Sequence, residues 1–439
     1  MSERTILVFG ASGLIGRFIT DDLRMRGFRV VGLARSLSPA QRMSALDIEL
    51  PILSLDVAAL TRLLREHAVD VVANCLGVLQ DGPGSDTNVV HCDFVARLLQ
   101  AIGGSGRAIR LVHISIPGTA EADRTAFATT KREAERLIAA TGISYAILRP
   151  GFVVAPAAYG GSAMLRALAV FPLDLPDKEM ATLLQSIAVE DISATIAWLA
   201  ARSIDDASVK TVNWDLMQVE SVTLAGVIKQ FRLAFGTAGW PRVAMPSFML
   251  DLGAKIGDFA SHLGWMPPMR STALAELRRG VRGDPSAWIA ATGIAPKTLA
   301  ETIGRHPASI QDKWFARLFL IKALIFASLA AFWLVSGFIA LFVSYRAAAS
   351  ILSTHNFPPA LVDPITIGTS LMDMSIGALI AFRRTAAIGL VVGLVASLGY
   401  MVGAAVLTPD LWIEPLGALV KTGPAIVLML VALLVLDNR

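Results

Sequence analysis

Thr5-Ile6-Leu7-Val8-Phe9-Gly10-Ala11-Ser12-Gly13-Leu14-Ile15-Gly16-Arg17 is the stretch on which the reading of this chain turns. Its first five residues are mostly apolar, and glycines follow at once, which predicts a short buried strand. Gly10 to Gly16 then predicts a tight turn that opens a helix. Glycine lets such a turn bend sharply and approach a ligand. The first N–H groups of the helix lack intrahelical acceptors, and with the helix dipole they favour a diphosphate. Gly10, Ser12, Gly13, Leu14, Ile15 and Gly16 are therefore candidate dinucleotide ligands, with Arg17 just behind them. A plain tight turn is the alternative.

Working outward, further apolar runs occupy residues 29–34, 50–55, 69–75, 110–114 and 144–148, separated by helix-length amphipathic stretches. Repetition of strand and helix predicts an α/β fold, a Rossmann doubly wound parallel sheet with helices on both faces. A small substrate or cap region is expected after it. The second run ends in Arg35 and Ser36. An acidic residue there would bind a ribose 2′-hydroxyl, whereas a guanidinium pairs with a 2′-phosphate. The expectation is NADP(H) in preference to NAD(H), with a solvated arginine as the plainer alternative. Asp56 and Val57 close the third run. Asp56 would lie at the ligand edge of the sheet or cap the helix that follows.

The 439 residues are 54% hydrophobic and 17% charged, and the mean hydropathy is +0.60. The excess is concentrated near the C-terminus. Residues 323–345, 364–382, 385–408 and 416–436 are each close to the roughly 20 apolar residues that a span needs. An all-α four-helix transmembrane bundle is expected there. Lys313, Arg317, Lys322, Arg383, Arg384 and Arg439 fall on one side of it, and Arg346, Asp363, Asp410 and Glu414 on the other. The positive-inside rule then puts the N-terminal domain and the C-terminus in the cytoplasm, in a multi-pass protein of the inner (plasma) membrane. The N-terminal residues lack the shape of a cleavable signal.

The expected domains are 1–240, a nucleotide-binding domain with cap elements; 241–312, a helical connector; and 313–439, the membrane domain. Within the connector, Phe248, Leu252, Ile256, Phe259 and Leu263 repeat at helical spacing after Pro246. We read that stripe as docked on the domain rather than inserted in lipid. Arg270, Arg278, Arg279 and Arg282 form either a solvated helix face or a membrane-surface patch. With a net charge of +4 and no basic stripe interleaved with aromatics, no nucleic-acid partner is expected. Cys75 and Cys92 suggest no disulfide framework, and the six histidines have no metal-site spacing, so no metal is expected.

Several quoted residues stand in the order seen in short-chain dehydrogenases/reductases. They are the Gly10–Gly16 turn, Arg35, Leu55-Asp56-Val57, Asn74-Cys75-Leu76-Gly77, His113-Ile114-Ser115, Lys131 and Ile147-Leu148-Arg149-Pro150-Gly151. The chain resembles the atypical and extended branch, which includes NmrA-like proteins and the nucleotide-binding accessory subunit of respiratory complex I. Val189-Glu190-Asp191-Ile192 resembles a late motif of that branch. The resemblance implies that Asp56 contacts the adenine and that Gly77 makes room beside the adenosine ribose. It places Ser115 and Lys131 near the nicotinamide ribose. Family enzymes also use a tyrosine four residues before the lysine as general acid or base. Here Phe127 stands in that place and can neither donate nor accept a proton. Tyr159 is a candidate replacement acid, and the apolar residues 155–176 a candidate substrate-pocket lining.

The C-terminal region resembles the DoxX-like family. The resemblance is carried by residues 368–377 with Asp373, by Arg383-Arg384, and by Leu411-Trp412-Ile413-Glu414-Pro415-Leu416-Gly417 leading to Lys421-Thr422-Gly423-Pro424. Ionisable groups inside a span are costly, so Asp373 and Lys421 are expected either to pair across the bundle or to be purely structural. The expected function is a membrane-anchored NADP(H)-dependent oxidoreductase acting on a lipophilic substrate, quinone-like or a lipid carbonyl. The alternative is a non-catalytic NAD(P)H-binding redox sensor or assembly factor. The lipid bilayer is the expected partner in both, and a membrane protein partner fits the second.

Overall fold

A computed structural model describes residues 4–82, 84–413 and 417–437. Seven strands make one sheet: β1 (Thr5–Phe9), β2 (Arg29–Ala34), β3 (Asp47–Glu49), β4 (Val71–Asn74), β5 (Arg110–Ile114), β6 (Ser144–Pro150) and β7 (Thr211–Leu216). Their order is β7-β6-β5-β4-β1-β2-β3 and every pairing is parallel. Because β2 and β4 flank β1, the winding reverses between β1 and β4. A crevice is expected there, at the C-terminal ends of the strands. Side chains alternate between the faces, as the two-residue strand period requires. Ile6 and Val8 join one core with α1 (Leu14–Met25), while Leu7 and Phe9 join the other with α2 (Val57–Glu66), α3 (Phe94–Gly104) and α4 (Ala126–Ala139).

One predicted strand is corrected. Residues 50–55 form no strand; β3 ends at Glu49, and Ile52–Ser54 is a 3-10 turn. Pro51 offers no N–H for a ladder, so the apolar side chains of this run reach the core from a turn instead. Asp56 is the N-cap of α2, its Oδ1 accepting from Ala59 N at 2.8 Å.

The chain divides into two compact units, residues 1–258 with 268–316, and residues 259–267 with 317–439. Beyond the sheet, the first unit contains α5 (Gly160–Val170), α6 (Val189–Ala201), α7 (Leu224–Phe235), most of α8 (Ser247–His262), α9 (Ser271–Arg279), α10 (Ser286–Thr292) and α11 (Leu299–Arg305). Residues 268–316 pack into it. Trp288 on α10 is fully buried in the core with α1 and α6, and its indole donates to Thr195 Oγ1 at 3.0 Å. Lys297 pairs with the buried Asp191. Arg270 pairs with Asp258, Arg278 with Glu179 and Asp251, and Arg279 with Asp123 and Glu276. These three arginines are therefore committed to carboxylates of their own unit, rather than to a free solvated face or a membrane patch.

The stripe on α8 also differs from its expectation. Phe248, Leu252, Ile256 and Phe259 are exposed, while Leu250, Ala254, Gly257 and Ser261 form the buried face. Close approach decides this. A Cβ on Gly257 would lie 2.0 Å from the Met269 carbonyl, so the small-residue face is the one that fits.

The helix α12 (Ile310–Phe338), which lies in the second unit from Arg317 onward, continues through a π turn to Val343 and is followed by α13 (Tyr345–Thr354). Then come α14 (Pro359–Ala381), α15 (Ala386–Leu407) and α16 (Ala418–Leu434). Among the described residues, three helices, Ile310–Val343, Pro359–Ala381 and Ala386–Leu407, are long and apolar enough to cross a membrane. The fourth expected span is a shorter apolar helix, so the count of four holds approximately. Glycines bring the helices close: a Cβ on Gly337 would meet the Ser370 carbonyl at 2.4 Å, and one on Gly377 the Leu334 amide at 2.6 Å. Small residues commonly serve this purpose between membrane helices. The Tyr400 hydroxyl donates to Asp373 Oδ1 at 2.7 Å, while Lys421 is exposed. Of the two expectations for Asp373 and Lys421, pairing across the bundle is not met; Asp373 instead bonds a neighbouring helix through Tyr400 on α15, as the structural alternative has it. Glu414, Pro415, Leu416 and Arg439 lie outside the described residues.

Candidate functional site

The glycine turn joins β1 to α1 as the sequence predicts. Gly10 has φ +83°, and a Cβ there would sit 3.2 Å from the Cys75 carbonyl group. The turn therefore abuts the loop after β4, at the reversal of the winding. Gly16 packs still more tightly: its Cβ would lie 2.2 Å from the Gly10 oxygen. Gly13 is the N-cap of α1 and supplies no side-chain cap. The opening amides at Leu14 and Ile15 have no intrahelical acceptor and face no acidic residue in the first turn. Ser12 lies inside this turn, and Arg17 is exposed one turn along.

Arg35 and Ser36 are exposed just past β2. Behind them Glu49 accepts from Leu37 N at 3.1 Å and from Arg42 at 2.9 Å, which fixes the loop that carries them. Asp56 and Val57 begin α2, with Asp56 exposed apart from its capping contact.

Lys131 is the most informative residue of the site. It is buried, and its Nζ donates to the Leu76 carbonyl at 3.1 Å and to the Ile114 carbonyl at 2.8 Å. Its ammonium clamps the ends of β4 and β5 together, and a Cβ on Gly77 would stand 3.6 Å from it. Although it stands in the charged run Lys131-Arg132-Glu133, Lys131 is thus no solvated surface residue. Burial lowers its ammonium to about 8, against smaller opposing contributions from Cys75 and Glu135. Burial likewise pushes the Cys75 thiol up to about 12.

Ser115 directly follows the Ile114 carbonyl that Lys131 holds, so the structure brings these two residues together. Its hydroxyl faces Glu135. Burial alone would raise the Glu135 carboxyl, but hydrogen bonds from Arg149, the nearby Ser115 hydroxyl dipole and the charges of Arg149 and Arg132 hold it below the usual range. Arg132 also donates to the Ile116, Pro117 and Gly118 carbonyls and so fixes the loop after β5.

Sequence reasoning gave no role to two histidines, His91 and His113. His91 lies in a π turn (Val89–Asp93) before α3 and is buried. Its Nε2 accepts from Val78 N at 3.2 Å, and its Nδ1 meets Thr130 Oγ1 at 2.8 Å. That hydroxyl in turn donates to the Ala126 carbonyl at 2.7 Å. Burial first, then the Lys131 charge, lowers the imidazole to about 2, so it is neutral. Phe127 packs edge-on against this ring at 5.8 Å. His113 on β5 is buried beside Asn74 at 3.1 Å and is held well below its ordinary value by burial. A polar residue within the apolar residues 111–114 of β5 was the available signal for His113. For His91 the π turn that aims it left no mark in the sequence.

Tyr159 is not part of this cluster. It is exposed at the N-terminus of α5, and no hydrogen bond joins it to Ser115 or Lys131 among the described residues. Ala155, Leu165, Leu168, Val170 and Leu175, read as a pocket lining, are buried, and α5 packs on α7. Much of that segment is core.

Comparison with known proteins agrees with this geometry. Residues 6–171 match the NAD dependent epimerase/dehydratase family and residues 330–430 the DoxX-like family. An epimerase/dehydratase-type domain of short-chain dehydrogenase/reductase character thus lies N-terminally, and a DoxX-like domain C-terminally. Among solved structures, the UDP-glucuronic acid 4-epimerase of Bacillus cereus, in complex with UDP-glucuronic acid and NAD, is 15% identical with a TM-score of 0.52. The match covers 72% of this chain and 99% of that one. The Bordetella bronchiseptica enzyme WbmG in complex with NAD is also 15% identical, with a TM-score of 0.52 over 72% of this chain and 97% of that one. MoeE5 in complex with UDP-glucuronic acid and NAD is 20% identical, with a TM-score of 0.51 over 71% and 99%. At these identities the likeness is one of fold. No curated protein matches the chain.

Proposed function

We propose that this chain is a membrane-anchored nicotinamide-dinucleotide-binding protein that holds its cofactor without tyrosine–lysine turnover, as a redox sensor or an assembly factor for a membrane complex. One observation carries the reading. The place of the catalytic tyrosine is filled by Phe127, packed on an imidazole whose two nitrogens are both engaged. The binding parts remain: a glycine turn with open amides, and a buried lysine at the ends of β4 and β5. Arg35, exposed beyond β2, supports NADP(H) over NAD(H), although the similar structures hold NAD. The charge bias of the flanking residues supports an inner (plasma) membrane location with the nucleotide domain and the C-terminus in the cytoplasm.

The test uses the full-length protein purified in detergent. NADPH and NADH are titrated by fluorescence, and oxidation of bound NADPH is then sought with quinones, lipid carbonyls and UDP-sugars. The expected result is binding, tighter for NADPH, with no turnover. Sustained turnover of any acceptor would sink the reading. In Phe127→Tyr, a gain of activity from a null background is the expected companion result.

The second reading is an oxidoreductase acting on a lipophilic substrate. It draws on Tyr159, whose half-exposed hydroxyl-bearing side chain stands at the start of α5, outside the buried cluster. If turnover is found, Tyr159→Phe should abolish it while leaving NADPH affinity unchanged.

A further inference from the structure

The exposed stripe of α8 is an apolar surface that nucleotide binding does not use. Phe248 is 69% exposed, Leu252 52%, Ile256 58% and Phe259 64%. At 100° per residue these four fall within an arc of about 80°, directly opposite the Leu250, Ala254, Gly257 and Ser261 face. The helix is therefore apolar on the side turned away from its own protein, where a solvated helix would be polar.

Charge on the helix is arranged accordingly. Its two acids are drawn toward the buried side, Asp251 by Arg278 at 2.9 Å and Asp258 by Arg270 at 3.1 Å. Lys255 and His262 are exposed and flank the apolar stripe. An apolar stripe with a basic flank and no unpaired acid matches an anionic lipid surface, with the lysine stem reaching up to the headgroups.

From Phe259 onward the helix, and the residues after it as far as Pro267, belong to the second unit. One residue past His262, the Leu263 carbonyl accepts from Arg383 N at 3.0 Å. Trp265 Nε1 donates to the Ala381 carbonyl at 2.7 Å, and its ring packs on Phe326 with centroids 4.6 Å apart. Ala381 ends a span, and Arg383 and Arg384 follow it. The chain thus leaves α8 at the level where membrane helices end, with a tryptophan there, as interfacial anchors favour.

We infer that α8 lies in the plane of the membrane interface, with Phe248, Leu252, Ile256 and Phe259 in the headgroup–acyl boundary of an anionic leaflet. The inference rests on the membrane reading of the bundle, and the test separates the two. Four single-cysteine variants of the full chain, Leu252→Cys, Ile256→Cys, Val395→Cys on α15 and Glu66→Cys on α2, are labelled with an environment-sensitive fluorophore. They are reconstituted into phosphatidylcholine–phosphatidylglycerol vesicles with or without brominated acyl chains. The expected result is loss of emission at 252 and 256 comparable with that at 395, and none at 66. Quenching at 395 without quenching at 252 and 256 overturns the inference and leaves the bundle in the membrane. Shielding of 252 and 256 from aqueous iodide without lipid quenching overturns it in favour of a protein, or a second copy, covering the stripe. Absence of quenching at 395 removes the membrane reading and this inference with it.

Discussion

Gly13 and Gly16 look interchangeable in the sequence, but they carry different loads. A Cβ on Gly13 would stand 3.3 Å from the Gly10 oxygen, a tight but bearable contact, whereas on Gly16 it would stand at 2.2 Å. Gly13→Asp should therefore fold, with its carboxylate capping α1 in the place of the diphosphate. NADPH affinity should fall by roughly two orders of magnitude, about 2.7 kcal/mol, with little change in unfolding temperature. Unchanged affinity would refute the diphosphate assignment. Gly16→Ala should destabilise the first unit by about 1–3 kcal/mol, as overpacking does, measured by denaturant unfolding. For Lys131, the folded value near 8 lies below its ordinary 10.5, so between these pH values the unfolded chain binds more protons. Its contribution to stability thus rises with pH across that window, while the ammonium that would serve a ribose disappears. Dinucleotide affinity should weaken as pH passes about 8, and Lys131→Met should flatten that dependence in a fluorescence titration. The burial behind this behaviour was hidden in the sequence, where Lys131-Arg132-Glu133 reads as a charged run. Only the packing of α4 on the ends of β4 and β5 separates the buried lysine from the half-buried Glu133.

At the level of elements, α10 shows how a short helix earns its place. It is seven residues long, and Trp288 is its one fully buried side chain, set in the core with its indole hydrogen-bonded to Thr195. Trp288→Ala should cost about 3–5 kcal/mol, typical of a deleted core aromatic, and should lower the unfolding temperature of the dinucleotide-binding unit. An effect confined to the membrane helices would contradict that placement. In the second unit, Tyr400→Phe strips Asp373 of its hydroxyl partner. The loss should be about 1–3 kcal/mol in detergent thermal unfolding, the usual cost of an unsatisfied buried group. Periodicity located most of these elements, and β1, β2 and β5 fall on the predicted residues. It failed at residues 50–55, where an apolar run reaches the core from a turn. It also failed to say which face of α8 is inside, since both faces carry apolar residues and only a close approach at Gly257 chooses between them.

For the whole molecule, the testable claim is sidedness. In intact spheroplasts, a membrane-impermeant maleimide should label Asp410→Cys, whereas Arg384→Cys should react only after lysis. Cys75 and Cys92 are poorly available as background because burial pushes both thiols above their ordinary value. Labelling in the reverse order would put the nucleotide domain outside and undo the argument from flanking charge. The sequence by itself determined the two-part plan, because strand periodicity, a glycine turn and long charge-free helices are local patterns that any neighbouring fold must respect. It also determined that the usual acid–base residue is absent, since Phe127 has no exchangeable proton in any conformation. Tertiary structure alone decided what Lys131, His91, Asp373 and the α8 stripe face. Burial and partnership are properties of pairs of residues distant in the chain, as with Lys131 and Leu76, or Asp373 and Tyr400. No reading of one segment contains its partner.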